Sequence, residues 1–197
     1  MKPIEIILEI LFVFIGVFLA FYTQNFIDNK REQELNTFIF TTLISDLEDD
    51  LLEISENINI LDNSITYTQD VIERGSANLK QLDTISHNVI FLHSESAFIQ
   101  LANKGFDIIE NNNLRNMIIK LYEIQYDYID SKEKKIGELQ LNILFDKDFM
   151  YSKEIAPLSN VEIGKLNLIN KKKRSLLKVY KETILKIKSL LKILKKS

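Results

Sequence analysis

Residues 10–27, ILFVFIGVFLAFYTQNFI, contain no charged side chain, and this constrains the fold of the chain more than any other feature. At about 1.5 Å per residue such a run makes a helix of roughly 27 Å, close to the ~30 Å hydrocarbon core of a bilayer. A cleaved leader would carry basic residues first and small ones before the cut. Here Glu5 and Glu9 precede the run and FLAFYTQN stands where the cut would fall, so residues 1–27 are expected to form a retained transmembrane anchor.

Glu9 lies about eight residues from the middle of the run, roughly 12 Å from the bilayer midplane. The ~3 kcal/mol cost of a central charge is an upper bound there, and the free N–H groups of the first turn favour a carboxylate. On one reading Glu5 and Glu9 simply occupy the entrance of the helix. On the other, Glu9, Val13, Gly16, Ala20 and Thr23 recur at steps of 4, 3, 4 and 3 and form one stripe. Gly16 and Ala20 would let a partner helix approach closely, and Glu9 would pair with a basic or hydrogen-bonding group on that partner.

Beyond the anchor, residues 28–197 have room for one domain. Only Pro3 and Pro157 and five scattered glycines interrupt the chain, so turn chemistry for a β-rich fold is lacking and an all-α fold is expected. Phe40, Leu43, Leu47, Leu51, Ile54, Ile58, Leu61, Ile65, Thr68 and Ile72 follow 3/4 spacing up to Gly75. The membrane helix is therefore expected to continue into a long amphipathic helix ending near residue 74. Later helices, or another copy of the chain, must cover its stripe in an elongated, coiled-coil-like bundle.

Residues 75–93 read as a connector in which HNVIFLH is a short strand or a buried crossing. SESAFIQLANKG predicts a helix opening at Ser94 or Ser96 and closing before Gly105. Asn112 or Asn113 is expected to cap the next helix, with Leu114, Met117, Ile118, Leu121, Ile124, Tyr128 and Ile129 on its apolar face and helical structure up to residue 150. Tyr122, Tyr126 and Tyr128 are read as core or core edge. After Pro157, Ser159 or Asn160 opens a last, basic helix over 159–196, packed through Tyr180, Ile184, Ile187, Leu191 and Leu194.

The net charge of −3 conceals a division: residues 165–197 hold 12 Lys/Arg against Glu182, a local +11, which leaves −14 on the rest. The acidic part includes Asp46, Glu48, Asp49, Asp50 and Glu53. Pairing between this acidic helix and the basic one is the first expectation for Lys171, Lys172, Lys173 and Arg174, and an anionic membrane surface the second. Nucleic acid is not expected as a partner. His87 and His93 have no acidic or histidine residue four places on, and the chain has no cysteine, so no metal site or cofactor is expected. Without a phosphate-binding glycine loop or a nucleophile motif, the reading is not that of an enzyme.

Two stretches, EILFVFIGVFLAFYTQNFIDNKREQE and SAFIQLANKGFDIIENNNLRNMIIKLYE, resemble the DUF6090 group of uncharacterised bacterial membrane proteins, seen mainly in Bacteroidota. Phe26 stands where members of that group tend to carry tryptophan. The resemblance implies a single-pass inner-membrane protein with a helical domain and supplies no activity. Lys2 on one side of the anchor and Lys30 with Arg31 on the other do not decide its orientation. The resemblance favours the helical domain in the periplasm. The expected role is assembly by contact, with copies of itself or with another membrane subunit; the alternative is a ligand-sensing helical bundle that signals through a membrane partner.

Overall fold

The structure, a computed structural model, describes residues 3–86, 89–144 and 156–196, with side chains from residue 11 onward except at 79, 83, 86, 142–144 and 156. The fold is all-α. Helix α1 spans Pro3–Arg74, α2 Leu79–Ser86, α3 Ser96–Lys104, α4 Asn112–Ile119, α5 Asp127–Leu144 and α6 Asn160–Leu194. A π-helical turn, Lys120–Tyr126, joins α4 to α5 without a break, and two-residue strands β1 (Ser76–Ala77) and β2 (Ala156–Pro157) pair antiparallel. The chain divides into two units, Met1–Thr42 and Leu43–Ser197.

In the first unit, every side chain from Leu11 to Ile27 is exposed. Phe12, Phe14, Phe18 and Phe21 stand 67–72% open. Along the helix, Gln24 bonds the Asp28 carboxylate at 3.0 Å and Lys30 faces Glu34 at 3.9 Å.

In the second unit, the inner edge of α1 is a heptad seam, Leu43, Leu47, Asp50, Ile54, Asn57, Leu61, Ser64, Thr68 and Val71, buried throughout. Its steps alternate 4 and 3, the spacing that keeps one helical stripe facing its neighbours. Leu47, Ile54, Leu61 and Thr68 form one column, and Asp50, Asn57 and Ser64 occupy the other. Glycine ends the helix because Gly75 sits at φ +64°, where a Cβ would be strained, with its N–H on Val71 O and Ile72 O. Its carbonyl accepts from Leu158 N at 2.8 Å, which closes the β1–β2 contact. Around this turn Val71, Ala77, Leu82, Ile85, Leu166 and Ile169 form an apolar cluster.

Several expectations shift by residues. The connector contains α2, so the irregular segment is shorter than residues 75–93; His87 lies outside the described residues, as do the expected helical positions 145–150. The cap of α4 is Asn111, whose side chain accepts from Asn113 N and Leu114 N, one residue before the expected asparagines. Ile124 and Tyr128 are exposed rather than core. The π turn is the cause, because its wider repeat places Leu114, Ile118, Tyr122 and Tyr126 inward at steps of four before α5 returns to 3/4 spacing at Ile129, Glu133, Ile136 and Gln140. Ser159 does cap α6, in a capping box with Glu162.

Candidate functional site

Residues 89–95 run between α1 and the π-turn and α5 helices, with Val89 and Phe91 buried and Ile90 and Leu92 turned outward. Irregular backbone crossing a core needs partners for its N–H groups, and here carboxylates supply them. Glu133 of α5 accepts from Phe91 N at 3.1 Å, Glu53 from Leu92 N at 2.8 Å, and Asp50 from Ser94 N at 2.9 Å. Asn57 donates to Ile90 O at 3.2 Å. Asp46 then accepts from Ser96 Oγ and, at 3.0 Å, from Ala97 N. The start of α3 is therefore capped from α1, while Glu95 at its own N-cap position makes no side-chain cap bond.

Two tyrosines complete the carboxylates. Tyr126 donates to Asp50 at 2.6 Å and Tyr180 of α6 donates to Glu133. Burial pushes Asp50 up to about 6 and Glu133 up to about 7, against the lowering effect of these hydrogen bonds. Burial likewise holds Tyr122, Tyr126 and Tyr180 far above the ordinary tyrosine range, the neighbouring carboxylates adding to it, so all three stay neutral. Phe91, His93, Tyr126, Tyr122, Phe98 and Phe106 pack ring to ring beside them, with Phe98 stacked on Tyr122 at 4.5 Å. Outside the connector lies an open cleft of about 540 Å³ lined by Ile90, Leu92, His93, Glu95, Asp130 and Lys134 among others, in which His93 Nε2 meets Glu95 Oε1 at 2.7 Å.

The acidic stretch of α1 thus has a different task from the expected one. Asp46, Asp50 and Glu53 hold backbone and hydroxyl groups, and Glu48 meets Lys195, the residue that follows α6. KKKR is divided as well. Lys171, Lys172 and Arg174 are exposed, whereas Lys173 is buried, its Nζ donating at 2.6 Å to both Ser64 Oγ and Ile85 O. Burial pulls its amine down to about 8. An ammonium at the carbonyl end of α2 suits that helix's dipole, since α2 has no basic residue in its last turn.

In the anchor stripe, Val13, Gly16, Ala20 and Thr23 are all exposed and Glu9's side chain lies outside the described ones. A Cβ at Gly16 would meet nothing within 4 Å among the described residues. Thr23 Oγ1 bonds its own helix at Leu19 O. Among the described residues no group of three or more acidic, histidine or cysteine side chains is placed to hold a metal ion.

Sequence reasoning missed the connector's holders, Asp46, Asp50, Glu53 and Glu133. The signal for Asp50 was present: Asp50, Asn57 and Ser64 follow one another at intervals of seven inside a 3/4 stripe that is apolar elsewhere except at Thr68. Compared with known protein families, curated proteins and solved structures, the chain matches none of them.

Proposed function

We propose that this chain is a single-pass membrane protein that works by assembly: residues 11–27 sit in the lipid bilayer and the second unit associates with another copy or with another membrane subunit. The observation that carries the reading is the uncharged, wholly uncovered apolar surface of α1 over residues 11–27, long and apolar enough to cross a membrane. In water such a surface is far larger than soluble monomers expose. The family resemblance adds a bacterial inner membrane, with the second unit in the periplasm.

The first test is extraction. The full chain stays with membranes after an alkaline wash, and Phe18→Arg, at the centre of the run and costing about 2.5–3.5 kcal/mol on insertion scales, moves it to the soluble or degraded fraction. Release of the unaltered chain by the wash overturns the reading. For the anchor stripe, the pair Glu9→Gln and Gly16→Leu is expected to lose the copurifying partner that the unaltered chain retains in mild detergent. Unchanged complexes would assign assembly to the second unit alone.

The cleft beside residues 90–95 favours a second reading, a ligand-sensing bundle. Its size suits a small molecule, and exposed Ile90 and Leu92 stand beside Glu95, Asp130 and Lys134. A ligand at 100 times its Kd adds about 2.7 kcal/mol to unfolding. A thermal-shift screen with no stabilising compound would dismiss this reading.

A further inference from the structure

The outward faces of α1 and α6 carry opposite charges in matching patterns. Along α1, steps of 4 and 3 from Ser45 to Glu73 trace an exposed column that includes Asp49, Glu56, Asp70 and Glu73, with Leu52 as its one apolar residue. Along α6, the same steps from Lys171 to Lys195 trace an exposed column in which every residue is Lys or Arg apart from Leu185. Leu52 is 65% exposed and Leu185 68%. Among the described residues of the second unit the columns scarcely meet: the ion pairs on this stretch are Lys195–Glu48 and the local Lys178–Glu182.

We infer that a second copy of this chain lays its α6 column antiparallel along the α1 column of the first, with Leu185 against Leu52, and that the reverse contact forms at the same time. The inference rests on the assembly reading above and names the partner and the faces. Intramolecular contacts set the levels. Lys173 meets Ser64, Asn170 meets Gln69 and Lys195 meets Glu48, so α6 runs antiparallel to α1. A two-fold axis along the helices keeps every residue at its level while exchanging the two chains. Counted residue for residue from Ser64 and Lys173, Leu52 falls opposite Leu185, Asp49 opposite Lys188 and Glu56 opposite Lys181; the Gln69–Asn170 and Glu48–Lys195 contacts would set the level two and six residues further along α6, and the single apolar residue in each column selects the first of these. Both chains also present residue 43 of α1 toward the same side, as two anchors in one bilayer require. This contact is isologous, so it closes at two copies. A flat anionic surface would satisfy the lysines but would make no use of the acidic column or of the two leucines at one level.

The absence of cysteine makes the test clean. Two differently tagged full-length chains are expressed together, one with Leu52→Cys and one with Leu185→Cys, and their membranes are treated with a short bismaleimide. The mixed pair is expected to cross-link, and pairs carrying Leu52→Cys on both copies or Leu185→Cys on both are not. Glu56→Lys on one chain is expected to lower the mixed product by roughly fivefold, in line with the loss of about 1 kcal/mol for an exposed pair, and Lys181→Glu on its partner to restore it. Chains that copurify as oligomers without the mixed cross-link overturn this pairing and leave the assembly reading standing. Strictly monomeric chains overturn both. Equal cross-linking of all three combinations, or a cross-link insensitive to the charge exchange while Lys181→Glu abolishes binding to anionic vesicles, also overturns the pairing.

Discussion

Glu133 concentrates the demands placed on single residues in the second unit. It is 5% exposed, and its two oxygens accept from Phe91 N and from the Tyr180 hydroxyl. The hydrogen bonds favour the ionised form, but desolvation outweighs them and the group is held up at about 7. A folded-state value above the unfolded one means that the folded chain binds the proton more tightly. The stabilisation is therefore complete below the unfolded value near 4.5 and is lost as pH rises through about 7. Asp50 behaves likewise, from 3.8 to about 6. The full chain is thus expected to become more stable to denaturant as pH falls from 8 toward 5, the reverse of ordinary acid sensitivity. Glu133→Gln keeps both contacts, with its carbonyl accepting from Phe91 N and its amide donating to Tyr180 oxygen, and cannot ionise. It is expected to gain on the order of 1–3 kcal/mol at pH 8 and to flatten the upper half of the curve. Denaturant titrations of both chains across that range check this, and parallel curves would remove Glu133 from the account. None of this is legible in sequence, where Glu133 is one more charge in SKEKKIGE; its burial depends on the register that the π turn sets.

Among the elements, α1 shows how a mixed heptad fixes a bundle's register. An all-leucine seam could slide by a turn at little cost, but Asp50, Asn57 and Ser64 each find a different partner: Tyr126 and the connector, the Ile90 carbonyl, and Lys173. A one-turn slip would strand all of them in the core. Ser64→Ala leaves the buried Lys173 ammonium its bond to Ile85 O without the one to Ser64 Oγ and is expected to cost about 1–3 kcal/mol. Lys173→Met, which removes the charge and keeps the volume, is expected to be close to neutral. Adding Lys173→Met to Ser64→Ala should recover most of the loss, measured as a double-mutant cycle in unfolding free energy. Additive losses would instead show that the two side chains do not act as a pair. The existence, type and order of the long helices were readable from 3/4 spacing, the Gly75 and Gly105 stops from the glycines themselves, and Ser159 was one of two residues offered as the cap of α6. The inward face of residues 114–129 was not, because a π turn changes the repeat from within while its residues, KLYEIQY, look like any helix.

For the whole molecule, the division of charge between −14 and +11 invites the idea that opposite charges hold the chain together. The contacts argue otherwise. Among the described residues, the ion pairs Lys30–Glu34, Lys178–Glu182, Lys195–Glu48, Arg115–Asp107 and His93–Glu95 each have at least one exposed partner, and pairs of that kind contribute about 0–1 kcal/mol. Cohesion instead comes from the α1 seam, the apolar cluster around Gly75 and the carboxylates that hold residues 91–97. Stability and association should therefore respond differently to salt. Raising ionic strength from about 0.05 to 0.5 M shortens the Debye length from roughly 14 to 4 Å, which screens the exposed α1 and α6 columns and leaves buried contacts almost unaffected. The melting temperature of the full chain in detergent is expected to move little, while the proportion of dimer, read by native mass or by the mixed cross-link, falls several-fold. A melting temperature that drops together with the dimer would mean that the second unit is not stable without its partner, and the columns would then belong to the fold and not to a separable assembly step.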